Sequence, residues 1–415
     1  DDRGGITYAG PYRAERPGPN PLDLRPWVVL PGMVDLHAHL PQLPNAGVGF
    51  ALDLLTWLDR LTFPTERSWA DPAVAERLSP PIFEAFAAAG TTTVLAYGVV
   101  YEAAMDAAFR AAETHGIRAI LGKVMMDRVT YDPTIEPSTI LERTLRESAG
   151  LIERWHGAAD GRLGYAVTPR FAVSCTADLL RESAALARST GAWWQTHVSE
   201  DRGEIAEVGR LFPDAVDYLD VYDRAGGLGE RTVLAHAIHL SAREVARVVE
   251  SGSHVAHCPA SNLFIGAGVM PLSAYRAAGM SVGLGSDVSG GPEASIFSVM
   301  RMGAYAQMAR RALAGEGEAP VTPLEGLRLG TLDGARALGL ADRIGSLEAG
   351  KEADFIAVDP SLTAPLHDSP DDAASLADSD ALVSRLIFRT HADMVRGAWV
   401  RGRRLAGPAG VAGAS

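Results

Sequence analysis

At 415 residues, 47% of them hydrophobic, the chain can bury a large core and is long for one simple layered fold. A formal net charge of −13, with the best basic run a short one at Arg401–Arg404, argues against nucleic acid or an anionic membrane as the main partner. Cys175 and Cys258 lie outside any CxxC pair, which argues against a cysteine zinc site and points to reduced thiols in a cytoplasmic protein.

In chain order, residues 1–30 are rich in Pro, Gly and Arg and carry few helix signals. They begin abruptly with no apolar signal segment, so the expectation is a truncated N-terminal part. Eight short apolar strands follow, at Val34–His39, Thr92–Tyr97, Arg118–Val124, Leu163–Pro169, Trp194–His197, Thr232–His236, His254–His257 and Ser281–Gly285. Helical stretches alternate with them, among them Ala103–His115, Ala177–Ser189, Ala242–Ser251 and Leu272–Ala278. Ser241 and Glu244 have capping-box spacing, and Gly116, Gly191, Gly252 and Gly279 stand where helices should stop. The charge-free stretch His254–Tyr275 is long enough for a bilayer, but Pro259, Asn262 and Pro271 make it a poor membrane helix.

This alternation fits a (β/α)8 TIM barrel or an open doubly wound sheet. Polar residues end the first, fifth, sixth and eighth strands, and only a closed barrel brings its first and last strands around one point. The expectation is therefore an α/β fold with a barrel over 31–339. A helix is expected around Pro323–Ala337, then a turn and short strand over Ile344–Val358, an acidic surface loop over Pro360–Asp380, and a hairpin over Ala392–Leu405 turning near Gly397 or Gly402. Residues 1–30 and 340–415 together form a small β module built from both chain ends.

The chemistry sits at the strand ends. In His37-Ala38-His39, alternation puts both imidazoles on one face of a strand, as a chelating pair. With His197 and Asp287 they make three imidazoles and one carboxylate, a set suited to zinc or iron(II) with one position left open for water. Glu200, three residues after His197, is placed to move a proton, or else it is a first-turn glutamate favouring its helix dipole. His236 is placed to hydrogen-bond the attacking group or polarise the group under attack. His239 and His257 read as structural or supporting residues, and His115, His156, His254, His367 and His391 receive no role. The fourth strand ends in Thr168-Pro169-Arg170-Phe171, where a two-metal site would need a carboxylated lysine. Arginine cannot form that bridge, so one ion is expected. Arg170 is then a fork donor to a substrate carbonyl, or it is buried in an ion pair with Asp127 or Glu200. Phe171 could stack on a flat ring. Gln42 offers a donor and an acceptor to a ring edge. The apolar segment Leu43–Arg67 is a lid, a packed element or an interface.

The set Pro31-Gly32-Met33-Val34-Asp35-Leu36-His37-Ala38-His39, His197-x-x-Glu200, His236 and Ser286-Asp287 resembles the amidohydrolase superfamily. Within it the chain is similar to the guanine deaminases, through His39-Leu40-Pro41-Gln42, Thr62-Phe63-Pro64-Thr65-Glu66, Lys123-Val124-Met125-Met126-Asp127-Arg128, Thr168-Pro169-Arg170-Phe171 and His257-Cys258-Pro259-Ala260-Ser261-Asn262. The resemblance implies hydrolysis of guanine to xanthine and ammonia by a zinc-dependent homodimer, with one ion and zinc favoured over iron. It places His37, His39, His197 and Asp287 on the metal. It places Gln42, Arg170 and Phe171 around the purine, with His39, His197, Glu200 and Asp287 facing it. Glu200 is then the proton shuttle, Asp287 delivers the last proton to the leaving amine, and His236 steadies the developing charge. Ala38 and Leu40 depart from the larger residues expected beside the metal pair, and Ser286 stands where threonine is common. Two rival readings remain. One is an aminohydrolase or chlorohydrolase of the same superfamily acting on another purine, a pterin or a triazine. The other is a non-catalytic assembly barrel, which would be expected to have lost metal ligands.

Overall fold

The computed structural model describes residues 1–12, 21–131, 136–314, 319–365 and 378–407. Among them, eight parallel strands form a nearly closed barrel: β2 (Met33–His39), β3 (Thr91–Tyr97), β4 (Arg118–Gly122), β6 (Leu163–Pro169), β7 (Trp193–Val198), β8 (Thr232–His236), β9 (His254–His257) and β10 (Ser281–Leu284). The ladder runs β2-β3-β4-β6-β7-β8-β9-β10 in chain order. Every residue of β2, β3, β4, β6 and β8 is buried, as expected for parallel strands covered on both faces.

The barrel closes where β10 returns to β2. The Asp287 amide donates to the His37 carbonyl at 2.7 Å, and the His39 amide to the Val288 carbonyl at 3.0 Å. Gly285 permits this approach. A Cβ there would lie 2.7 Å from His37 Cβ and 2.9 Å from Cys258 Sγ.

The third expected strand is interrupted at Lys123 and resumes as β5 (Val124–Met125), which pairs with β6. The Lys123 side chain turns onto the helix Pro137–Trp155, bonding Thr144 Oγ1 at 2.8 Å and pairing with Glu147 at 3.2 Å. The capping box at Ser241 and Glu244 forms. Gly116, Gly191 and Gly252 cap their helices with positive φ, where glycine carries no Cβ penalty.

The expected helix over Pro323–Ala337 is two helices, Pro323–Leu329 and Leu332–Ala337. The break at Gly330 frees a carbonyl that accepts from the Val34 amide at 2.9 Å. A side chain at Gly330 would strike Met300 and Ile296. Between 360 and 380, the described part is a short 3-10 helix at Pro360–Thr363 and the start of a helix at Ser379–Phe388. The rest of that expected loop, with His367, lies outside the described residues.

A separate antiparallel sheet orders β1 (Val28–Pro31), β11 (Phe355–Val358), β12 (Val395–Val400) and β13 (Arg403–Arg404) side by side. Both chain ends thus meet in one sheet. The hairpin turns at Arg401 and Gly402, both with positive φ, the conformation a tight two-residue turn requires. Gly397 lies within β12 opposite Ala357.

Arg118, at the start of β4 and 1% exposed, reaches this sheet's edge. It donates to Asp354 at 2.9 and 3.1 Å and to Glu352 at 2.5 Å. Glu352 also accepts from Arg343 and Arg401. Burial opposes ionisation of Glu352, but Arg401, Arg118 and Arg343 together hold its carboxyl down to about 2. Removing one partner of a buried pair leaves an uncompensated charge. Arg118→Met is therefore expected to lower unfolding free energy by about 3–5 kcal/mol in urea titrations. Because the folded-state value of Glu352 lies below the ordinary 4.5, its contribution is full above that pH and is lost as pH falls towards about 2. The stability gap between wild type and Glu352→Gln should close over the same window.

Candidate active site

The polar ends of β2, β7, β8 and β10 converge at the C-terminal mouth of the barrel. His37 Nε2 lies 3.1 Å from Asp287 Oδ1, and His39 Nε2 lies 3.4 Å from the same oxygen. His39 Nε2 and His197 Nε2 are 3.3 Å apart. His236 Nε2 stands 3.5 Å from Glu200 Oε2 and 3.8 Å from Asp287 Oδ2. All six side chains are buried.

The backbone makes this convergence by leaving the strands abruptly. Ser199, His236, Ala237 and Asp287 all have φ between +48° and +71°. That region is costly for residues with a Cβ and concentrates at functional sites.

Hydrogen bonds behind the rings fix their tautomers. His197 Nδ1 lies 2.6 Å from the Arg170 carbonyl. A carbonyl only accepts, so Nδ1 carries the proton and Nε2 is a bare lone pair. His236 Nδ1 faces the Asn262 carboxamide oxygen at 2.9 Å, which leaves His236 Nε2 bare as well. In that state His236 accepts a hydrogen bond towards the cluster and does not donate one.

Burial favours these neutral rings. It lowers His39, pushes His236 to about 4, and with the neighbouring imidazoles holds His197 well below its ordinary value. Burial would raise Asp287, but His37, His39 and His236 around it keep its carboxyl well below the usual range. Burial and the charge of Asp287 push Glu200 well up, giving it affinity for a proton.

Among the described residues, His39 Nδ1 and His236 Nε2 are buried without a hydrogen-bond partner. Three overlapping groups could hold a metal ion: His37 with His39 and Asp287, His37 with His197 and His236, and Glu200 with His236 and Asp287. Imidazole nitrogens converging on the Asp287 carboxylate, with Nε2 of His197 and His236 bare, form a donor set that fits a divalent cation.

Glu200 does not cap the following helix. Asp201 and Glu204 form that capping box, and Glu204 also accepts from the Glu200 amide at 2.9 Å. Its carboxylate is thus left for the cavity. That cavity is lined by His39, His197, Glu200, His236 and Asp287 together with Arg170, Phe171, Leu54, Trp57 and Leu58. Gly290 lines it too, and a Cβ there would come within 2.9 Å of Asp287 Oδ2. The segment Leu43–Arg67 therefore contributes a cavity wall, through the short helix Leu54–Trp57 and Leu58 just after it.

Arg170 pairs with Glu66 at 2.7 Å, and not with Asp127 or Glu200. Asp127 instead accepts from the Thr176 amide and hydroxyl. Gln42 joins this group by donating to Glu66 at 2.7 Å. His239 is outside the cluster, bonded to the Ala267 carbonyl at 2.9 Å. His257 is buried with both ring nitrogens unpartnered.

Sequence reasoning assigned no role to Glu66, Asn262 or Asp35. Asp35 accepts from the Ser286 amide at 2.9 Å, the Ser286 hydroxyl at 2.6 Å and the His37 amide at 3.2 Å. Burial nonetheless pushes its carboxyl up to about 6. An acid inside the otherwise apolar start of a strand, Met33–Leu36, was the available signal.

The amidohydrolase family model matches residues 28–405. The chain belongs to the amidohydrolase family. It is 40% identical to a probable guanine deaminase of Deinococcus radiodurans, covering 86% of this chain and 81% of that protein. It is 37% identical to the guanine deaminase of Escherichia coli, covering 89% and 83%. The solved guanine deaminase of C. acetobutylicum, with guanine bound in its active site, superposes with a TM-score of 0.89 at 28% identity, over 97% of this chain and 93% of that one.

Partners behind metal ligands commonly tune affinity ten- to a hundredfold. Ser286→Ala removes a hydroxyl from Asp35 beside Asp287. It is expected to weaken retention of a divalent ion by about that factor, measured by competition with a chromophoric chelator.

Proposed function

We propose that this protein hydrolyses guanine to xanthine and ammonia, using one zinc ion held by His37, His39, His197 and Asp287. The observation that carries this reading is the set of imidazole nitrogens converging on Asp287, with Glu200 beside it in a cavity that also presents Arg170 and Phe171. Similarity to guanine deaminases of Deinococcus radiodurans and Escherichia coli supports the substrate. Three imidazoles and one carboxylate suit zinc or iron(II), and zinc is the ion of this proposal. Such an ion, when bound, supplies Lewis-acid activation of water near neutral pH.

The chain's own groups do the rest. Phe171 and Trp57 wall the ring and exclude bulk water. Arg170 donates to O6, and Gln42 reads the neighbouring edge. Glu200, with its raised proton affinity, takes a proton from the attacking water and gives it to ring N3 as the bond to C2 forms. His236 accepts a hydrogen bond from the incoming oxygen. Asp287 passes the remaining hydroxyl proton to the 2-amino group, which leaves as ammonia. Adenine has no O6 and would leave an Arg170 donor unmatched, a loss of about 1–3 kcal/mol when buried.

The proposal assigns 31–339 to the hydrolase barrel and 1–30 with 340–415 to the small module. It also carries a homodimer in the cytoplasm, and the free, buried thiols of Cys175 and Cys258 suit a reducing compartment. Among the described residues no helix is long and apolar enough to cross a membrane.

The test is xanthine formation from guanine, with adenine, cytosine and ammeline run in parallel for ammonia release. Guanine turnover abolished by a chelator and restored by zinc is the expected result. Glu200→Gln should keep the metal and lose about 10²–10⁴ in kcat, and near-normal turnover in that variant would remove Glu200 from the proton path. A metal-loaded protein silent on guanine and active on another ring would transfer the reading to that substrate.

A further inference from the structure

We propose that Glu66 is the positioning residue that decides which ring edge this pocket accepts, an inference that rests on the guanine reading above and deepens it. Glu66 sits on the short helix Phe63–Arg67 and is 0% exposed. Both of its oxygens are engaged. Oε1 accepts from Gln42 Nε2 and Oε2 from Arg170 Nη1, each at 2.7 Å.

A carboxylate paired with a guanidinium accepts and does not donate. Glu66 therefore fixes the Gln42 carboxamide with its NH2 group inward. The other end, Gln42 Oε1, is buried and has no partner among the described residues. A buried acceptor left unpaired is costly, so it calls for an N–H from outside the protein. Arg170 gives one Nη1 to Glu66, lies over the Phe63 ring at 5.4 Å, and lines the cavity. Its other N–H groups are the donors available to a ligand.

One carboxylate thus holds a donor and an acceptor side by side. Their complement is a ring edge in which a carbonyl adjoins an N–H. Guanine carries that edge at O6 and N1–H. In 2-aminopurine, which keeps the same 2-amino group, N1 is an acceptor and O6 is missing. Glu66 touches no reacting atom and acts through Gln42 and Arg170.

Glu66→Gln tests this. Arg170 still requires an acceptor, so the new amide turns its oxygen to Arg170 and its NH2 to Gln42. Gln42 must then turn over and offer NH2 in place of oxygen. The expected result is a loss of about ten- to a hundredfold in kcat/KM for guanine. The guanine to 2-aminopurine preference should fall at least tenfold, because the N1 lone pair now finds a donor. Glu66→Gln combined with Gln42→Glu places a carboxylate at 42, restores the acceptor and should recover most of the preference.

Equal losses on both substrates, with the preference unchanged, would overturn the proposal and leave Glu66 a packing residue. Failure of the guanine reading is separable from failure of this one. If the wild type forms no xanthine, calorimetric binding of hypoxanthine, which has the same N1–H and O6 edge without the amino group, is compared with purine. The same comparison on the unmodified protein decides the matter if Glu66→Gln does not fold. Preference for hypoxanthine supports the proposal, and equal binding overturns it.

Discussion

A buried carboxylate near the start of the first barrel strand ties the two ends of the barrel together. Asp35 accepts from both polar groups of Ser286 and from the His37 amide, and the next residue, Asp287, bonds the His37 carbonyl. Parallel strands that are distant in sequence have little else to set their register at the seam. The fifth and sixth strands then have to end opposite the first, because each is hydrogen-bonded in line with its neighbours. Four polar strand ends meet in one place because this seam closes.

The same constraint sets the electrostatics. The cluster is buried, so burial disfavours the charged imidazoles of His39, His197 and His236, while the surrounding rings keep the Asp287 carboxyl low. The groups behind the cluster are neutral or fully paired. Arg170 and Asn262 orient two imidazoles through oxygens, and Glu204 with Asp201 relieves Glu200 of helix capping. The left-handed backbone at His236 and Asp287 is strain that the surrounding bonds sustain. Rigidity of this kind suits a site in which a proton moves over short distances between fixed groups.

The groups proposed to read the ring are held by a different element. The helical segment after the first strand carries Leu54, Trp57 and Leu58 as a cavity wall and Glu66 as the anchor for Gln42 and Arg170. On the proposed reading, the proton-moving groups stand at or just past barrel strand ends and the ring-reading groups lean on an inserted segment.

Much of this was legible from local patterns. Apolar runs located the eight strands to within about two residues, because a strand buried on both faces must be apolar whatever its partners. His37, His39, His197, His236 and Asp287 stood out because each is polar at the end of such a run. The box at Ser241 and Glu244 was readable because a cap involves neighbours in sequence. Gly330 was not, since the break it makes answers the amide of Val34, almost three hundred residues earlier. The partner of Arg170 was equally hidden. Glu66 lies 104 residues away, and Asp127 and Glu200 offered the same charge at plausible places. By itself the sequence located the barrel strands and the polar residues at their ends, because those depend on side-chain type and short-range periodicity. Which proton sits on which ring nitrogen, which end of Gln42 is free and which acid holds Arg170 were decided only by tertiary structure, because each depends on a contact made when distant strands close into a barrel.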